Sequence, residues 1–259
     1  MPENRKYLSY MSDEKLLDAI EKLYRSYQKA FASKTLKDLN KNIIDPFKFQ
    51  FDTEFLHGGH PEETLRSEIF RQSDKTIANA IGLFHQQLLG SIDGFEESPT
   101  LPCDVRKTDD TIFAEVKNKY NTMNVRSAAG VYDELAGLAK SYPKAMCYLV
   151  EIIAKKSTDE VWSITINEKK QSHQRIHKIS ADRFYALATG RKNAFEELRQ
   201  ALPQAIHDFL NTQAKEASLA NDNSSLGAFD ELTETSAAYG TSMTETIYRL
   251  ALSDYYKGD

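Results

Sequence analysis

Residues 111–124 read TIFAEVKNKYNTMN. Ile112, Ala114 and Val116 alternate with Phe113, Glu115 and Lys117. A period of two predicts a β-strand, on which Glu115 and Lys117 share the face opposite the apolar set. Upstream, residues 102–106 (PCDVR) are a second short strand candidate, and the polar residues 107–110 (KTDD) make a hairpin turn between the two. Such a hairpin lays Asp104 close to Glu115. Two carboxylates and a lysine then meet at one sheet edge. Two carboxylates a few ångström apart repel, and both stay ionised only with a cation between them. Ligands that are all oxygen select a hard ion such as Mg²⁺.

The bare pattern of an acid, any residue and a lysine occurs at Asp13 and Lys15, at Glu115 and Lys117, and at Glu168 and Lys170. Asp13 opens a predicted helix with no carboxylate a hairpin's length upstream. Glu168 lies in the polar turn after a strand. Glu115 alone ends an alternating apolar strand with an aspartate eleven residues before it. A solvated hairpin carrying ordinary surface charges has the same spacing, so spacing alone leaves both readings open.

The longer string separates them. Asp104, Glu115 and Lys117 resemble the PD-(D/E)xK nuclease signature, with Pro102, Cys103 and Asp104 standing where many members carry Pro-Asp. Cys103 keeps the aspartate in place and shifts the proline by one. The continuation from Lys117 to Asn124 is similar to one subgroup, the type II restriction endonucleases cutting GGNCC-type sites. Residues 42–52 (NIIDPFKFQFD), 71–86 (RQSDKTIANAIGLFHQ) and 184–203 (FYALATGRKNAFEELRQALP) resemble it too, so the likeness runs over roughly residues 42–203. It implies Asp104 and Glu115 as metal ligands, a backbone carbonyl near Val116 as a third, and Lys117 as the group that orients or deprotonates the attacking water. It also implies a further acid on the helix before the sheet, for which Glu68 is the candidate. An exposed helical glutamate would read the same way.

Of the 259 residues, 41% are hydrophobic and 27% charged, which suits one large domain with its own core. No apolar run approaches the ~20 residues of a membrane span. The N-terminus lacks an apolar signal core, so a cytoplasmic protein is expected. Cys103 and Cys147 are far apart with no CxxC, and are expected as reduced thiols without zinc or a disulfide. The net charge of −5 argues against indiscriminate nucleic-acid binding but leaves room for a local basic groove. Lys117, Lys119 and Arg126 cluster near the candidate site. Lys169, Lys170, His173, Arg175, His177 and Lys178 form a second basic run, either a phosphate-facing patch or the solvated side of a hairpin.

Helical spacing predicts an amphipathic helix over 13–33 with Ser12 as its cap, a short helix over 35–42, and a long one from Pro61 to near Gly90. Phe47, Phe49 and Phe51 alternate as a short extended segment. His85 is read as a helix-packing histidine or a lone polar group, since no second histidine stands at ligand spacing. Asn121 to Asn124 precede a helix ended by Pro143. Residues 145–154 (AMCYLVEIIA) read as a strand buried on both faces, 160–167 as an alternating strand, and 175–180 as an edge strand. Helices follow over 182–189 and 193–210. Residues 190–193 are a loop with two cations, usable against phosphate or plain surface. Residues 214–242 read as a loop-rich stretch or a linker, and 244–256 as a closing amphipathic helix.

The expected fold is an α/β nuclease core of the PD-(D/E)xK type, a central mixed β-sheet flanked by helices, with N- and C-terminal helical additions. The whole of 1–259 is taken as a single restriction-endonuclease domain, divided into a helical part (1–60), the nuclease core (61–213) and a loop-rich segment with a closing helix (214–259). The expected function is Mg²⁺-dependent hydrolysis of double-stranded DNA at a short palindromic site, GGNCC-like by resemblance. Asn118, Lys119, Asn121, Thr122, Asn124 and Arg126 are the candidate DNA-reading residues, with turn formation and helix capping as the rival role for the asparagines. A palindromic target implies a two-fold homodimer. A restriction enzyme also implies a cognate DNA methyltransferase as genetic partner, and no membrane. Two other functions fit the same residues: a repair or recombination nuclease cutting by DNA shape, and a non-catalytic helical module that binds DNA or a partner.

Overall fold

A six-stranded mixed sheet carries the stretch quoted above in a computed structural model that describes residues 5–32, 35–166, 168–216 and 227–251. Its strands are β1 (Phe95–Glu97), β2 (Val105–Lys107), β3 (Ile112–Lys119), β4 (Met146–Ile153), β5 (Asp159–Ile166) and β6 (Lys169–Ser180), ordered β1-β2-β3-β4-β6-β5. β3 pairs antiparallel with β2 and parallel with β4, and β4 pairs parallel with β6. The crossover from β3 to β4 is α5 (Val125–Ser141), as parallel neighbours require. This is the α/β mixed sheet with flanking helices that the sequence predicts.

Contacts divide the chain into two compact units. Unit 1, Met1–Tyr24 and Ala80–Ser218, holds the sheet. On one sheet face Phe113, Cys147, Leu149 and Ile176 pack against Tyr132, Leu135 and Leu138 of α5. On the other, Ala114, Val116, Tyr148, Val150 and Ile179 meet Leu16 and Ile20 of α1 (Asp13–Phe31), and Phe84 and Leu88 of α4 (Pro61–Gly90). Phe184 of α6 (Ala181–Thr189) and Leu198 of α7 (Ala194–Glu216) complete that layer. β4 is therefore apolar on both sides, except at Glu151. Burial pushes the pKa of His85 on α4 down to about 4, which keeps the ring neutral beside Phe84. Cys103 and Cys147 are buried free thiols. Among the described residues no helix is long and apolar enough to cross a membrane.

Unit 2, Arg25–Asn79 and Leu219–Asp259, packs Leu39, Ile44, Phe49, Leu65, Leu232 and Ile247 together. It includes α2 (Leu36–Asn40), α3 (Pro46–Phe55), α8 (Gly227–Tyr239) and α9 (Met243–Ala251).

Several expectations are corrected. Phe47, Phe49 and Phe51 lie on the helix α3 and not on an extended segment. The Asp45 carboxylate accepts the N–H groups of Phe47 and Lys48, and Pro46 takes the first helical position, so a strong helix start overrides the alternation. Residues 175–180 are no edge strand, because β6 lies between β4 and β5. Its polar first half extends past the core and pairs with β5, while Ile176 and Ile179 are buried on opposite faces. Within 214–242, residues 227–239 form α8, which buries Leu232. Residues 217–226 and 252–256 lie outside the described residues.

Candidate active site

The β2–β3 hairpin brings the two carboxylates together. Val105 stands opposite Ala114, and the Asp104 N–H donates to the Ala114 carbonyl at 3.0 Å. The turn closes at Asp110, with φ 56° and its N–H on the Lys107 carbonyl. β3 is an inner strand and not the sheet edge the sequence suggested. However, β2 begins only at Val105, opposite Ala114, so the β3 flank past Ala114 is uncovered by strand. The Asp104 carboxylate takes up that position, its Oδ2 accepting the Val116 N–H at 2.7 Å. In an extended strand a residue's N–H and carbonyl face the same side, so the Val116 carbonyl turns to this flank too.

Lys117 Nζ donates to Glu115 Oε1 at 2.5 Å. The Glu115 side chain is 13% exposed and that of Lys117 28%. The pKa of Asp104 is raised to about 6. Burial is the first cause and the charge of Glu115 the second, opposed by the Val116 N–H and the Lys117 ammonium. Asp104, Glu115 and Lys117 thus form one cluster, as the hairpin reading required.

A second charged pair stands beside it. Glu151 of β4 is in register with Lys117, and Lys178 of β6 with Leu149. Parallel register places their side chains on the face of Glu115 and Lys117. Glu151 is buried, and Lys178 Nζ lies 2.7 Å from its Oε1, an ion contact outside hydrogen-bond geometry. The sequence reading missed this pair. Its signal was Glu151 itself, the one charge in the apolar run 145–154. Removing one partner of a buried pair leaves the other uncompensated. Lys178→Ala is expected to lower unfolding free energy by about 3 kcal/mol, read from urea titrations, and Lys178→Met with Glu151→Gln to recover most of it. Equal stability of Lys178→Ala and the parent would mean that Glu151 is solvated.

The other candidates divide. Asn118 points to the face opposite Lys117, and its buried Oδ1 has no hydrogen bond among the described residues. Thr122 donates to the Lys119 carbonyl, and Asn124 caps α5 by accepting from the Ser127 N–H at 2.9 Å. Both hold the turn, as the rival reading for Asn124 has it. Lys119, Asn121 and Arg126 are exposed around the same turn. Of the second basic run, Arg175 donates to the carbonyls of Ala139, Tyr142 and Ala145 at the end of α5, and His177 pairs with Asp159. Arg191 of the 190–193 loop pairs with Glu197. Glu68 belongs to unit 2, where Arg71 holds both its oxygens at 2.6 Å and Gln72 donates at 2.9 Å. Burial would raise its pKa, but these bonds outweigh it and hold the carboxyl below its usual range. Glu68, Arg71, Lys48 and Ser67 line a cleft of about 570 Å³ within that unit.

Comparison with known proteins defines the class. The chain is 38% identical over 251 residues to the type II restriction enzyme Sau96I of Staphylococcus aureus, covering 93% of this chain and 94% of that protein. It is 36% identical over 214 residues to the type II restriction enzyme Eco47II of Escherichia coli, covering 79% and 88%. A type II site-specific deoxyribonuclease is therefore the enzyme class. Residues 8–211 match the model of the Eco47II restriction endonuclease, and the chain belongs to that family.

Proposed function

We propose that the enzyme hydrolyses phosphodiester bonds of double-stranded DNA at a short palindromic GGNCC-like site, with Mg²⁺ held by Asp104, Glu115 and the Val116 carbonyl. The observation that carries this reading is the convergence of Asp104 and Glu115 on the open flank of β3, with Lys117 against Glu115. The donor set fits a hard cation. Both side-chain ligands are carboxylates, and a carboxyl with a raised pKa beside a second one gains most from a positive charge. Among the described residues no three His, Cys, Asp or Glu side chains gather as a metal site. Two carboxylates, a carbonyl and water suit Mg²⁺, which keeps several of its waters. Held there, such an ion would supply polarisation of the phosphate and a more acidic water.

The chain's own groups do the rest. The Val116 N–H fixes one oxygen of Asp104 and leaves the other for a ligand. Lys117, two residues past Glu115 on the same face, presents an ammonium to the attacking water and to the charge that builds on the phosphate. Lys119, Asn121 and Arg126 lie exposed around the exit of β3 and belong to DNA recognition in this reading, with Thr122 and Asn124 contributing through the turn they hold and Asn118, turned to the opposite face, through the strand that carries it. Glu68, held by Arg71 and Gln72, is kept as the candidate further acid of this reading. The palindrome calls for a two-fold homodimer. An enzyme that cuts such sites needs a methyltransferase protecting the same sequence in the cell's own DNA, and it acts in the cytoplasm, where that DNA lies.

Supercoiled plasmid incubated with the enzyme and Mg²⁺ is expected to give one fixed set of fragments, the same at every enzyme concentration and absent in EDTA. Nicks tied to cruciforms or flaps would instead mark a structure-specific nuclease. Intact plasmid under all divalent ions would mark a binding module.

A further inference from the structure

Beyond Lys117, β3 leads into a patch in which Tyr120 and Lys155 have no part in the proposed chemistry or base reading. The Tyr120 N–H donates to the Ile153 carbonyl at 3.0 Å, which carries the β3–β4 ladder one residue past Lys119. That bond fixes the backbone under the ring. The ring is 41% exposed, and Lys155 Nζ lies over it, 5.4 Å from the centroid. Lys119, Lys155, Lys156 and Arg126 are exposed, and among the described residues none of the four enters an ion pair. Arg106, Lys107 and Arg191 are by contrast neutralised at short range, Arg106 by Glu96 and Asp110, Lys107 by Asp109 and Arg191 by Glu197. In a chain of net charge −5, free cations at the end of the catalytic strand face a polyanion. Three residues at about 3.3 Å each put Tyr120 roughly 10 Å beyond Lys117, about three base pairs of rise along a duplex axis.

We propose that Tyr120 and Lys155 form a phosphate anchor for the DNA backbone flanking the scissile bond, with the Tyr120 ring as the prop that holds the Lys155 ammonium in place. A lysine side chain loses much rotamer freedom when it grips a phosphate. An ammonium already resting on an aromatic face has lost part of it beforehand. The anchor carries no base information, so its contribution is equal on all sequences. This inference rests on the nuclease reading of Asp104, Glu115 and Lys117.

The test is fluorescence anisotropy without divalent ions, on a GGNCC duplex and a scrambled one, at several salt concentrations. Lys155→Ala is expected to weaken binding roughly four-fold on both duplexes and to flatten the slope of log affinity against log salt by about 0.9. Tyr120→Ala should move both quantities the same way, Tyr120→Phe should leave them near the parent, and the double alanine variant should be no weaker than Lys155→Ala. Both side chains are exposed, so melting temperatures should hold. Parent slope and affinity in Lys155→Ala overturn the anchor. Full additivity of Tyr120→Ala and Lys155→Ala overturns the prop. Glu115→Ala, run in parallel, separates the two levels. If it still cuts DNA, the catalytic reading falls whatever the slopes do. If it is inactive and Lys155→Ala binds like the parent, only the anchor falls.

Discussion

Asp104→Asn and Glu115→Gln are each expected to lower Mg²⁺-dependent cleavage at least 1000-fold, on the order of what losing a group that acts on the transition state costs. The fold should survive, since neither side chain belongs to an apolar cluster. Asp104→Asn should in fact stabilise the metal-free protein. At neutral pH Asp104 is ionised in a place that disfavours its charge, through burial and through Glu115. An amide of the same shape removes that cost while its oxygen still accepts the Val116 N–H. With the carboxyl raised from 3.8 to about 6, the gain is on the order of 2–3 kcal/mol. The sign follows from linkage. Between pH 4 and 6 the native state binds more protons at Asp104 than the unfolded state, so metal-free stability falls as pH rises through that window, and Asp104→Asn abolishes this fall. Thermal melts in EDTA at pH 4.5 and 7, with cleavage assays on the same samples, check both halves. A variant that is inactive and also less stable at pH 7 would show that Asp104 supports the fold, and one that still cuts would remove it from the site.

The same residues show how far the sequence could be read. The hairpin was legible because period-two alternation and a polar turn are local signals, and they placed Asp104 against Glu115. The buried β4 was legible from its apolar run. The position of β6 was not, because strand order depends on which edges pair, and the polar half of 169–180 hid the two isoleucines that are buried on opposite faces. α3 was misread because Phe47, Phe49 and Phe51 satisfy a period of two by accident, while the decisive signal was the Asp45-Pro46 cap. Glu151 stood in plain view as a charge in an apolar strand. Its partner Lys178 lies twenty-seven residues later, a separation that only the parallel β4–β6 pairing closes.

Lys117→Ala is the complementary experiment, because its ammonium is no metal ligand. Cleavage is expected to fall on the order of 100- to 1000-fold, the range for a lost proton-transfer or charge-stabilising group. The effect should appear in kcat, since the ammonium acts on charge that develops in the transition state, with KM nearly unchanged. Asp104→Asn, which removes a proposed ligand, should weaken Mg²⁺ binding, and Lys117→Ala should not. In the structure Lys117 holds Glu115 Oε1 at 2.5 Å, an oxygen that a metal would otherwise use. Removing the ammonium frees that oxygen and leaves two carboxylates facing each other with less compensation. Mg²⁺ affinity should then be kept or rise, and metal-free stability at neutral pH should fall, with added Mg²⁺ restoring it. Calorimetric titration of Mg²⁺ reads this directly. A collapse of metal binding in a folded Lys117→Ala protein would mean that the lysine orients Glu115 as a ligand, and its role would move from the water to the metal. Lys117→Arg sharpens the distinction. A guanidinium keeps the charge and can still pair with Glu115, but it does not give up a proton, so activity retained in arginine assigns Lys117 to charge stabilisation, and activity lost assigns it to proton transfer.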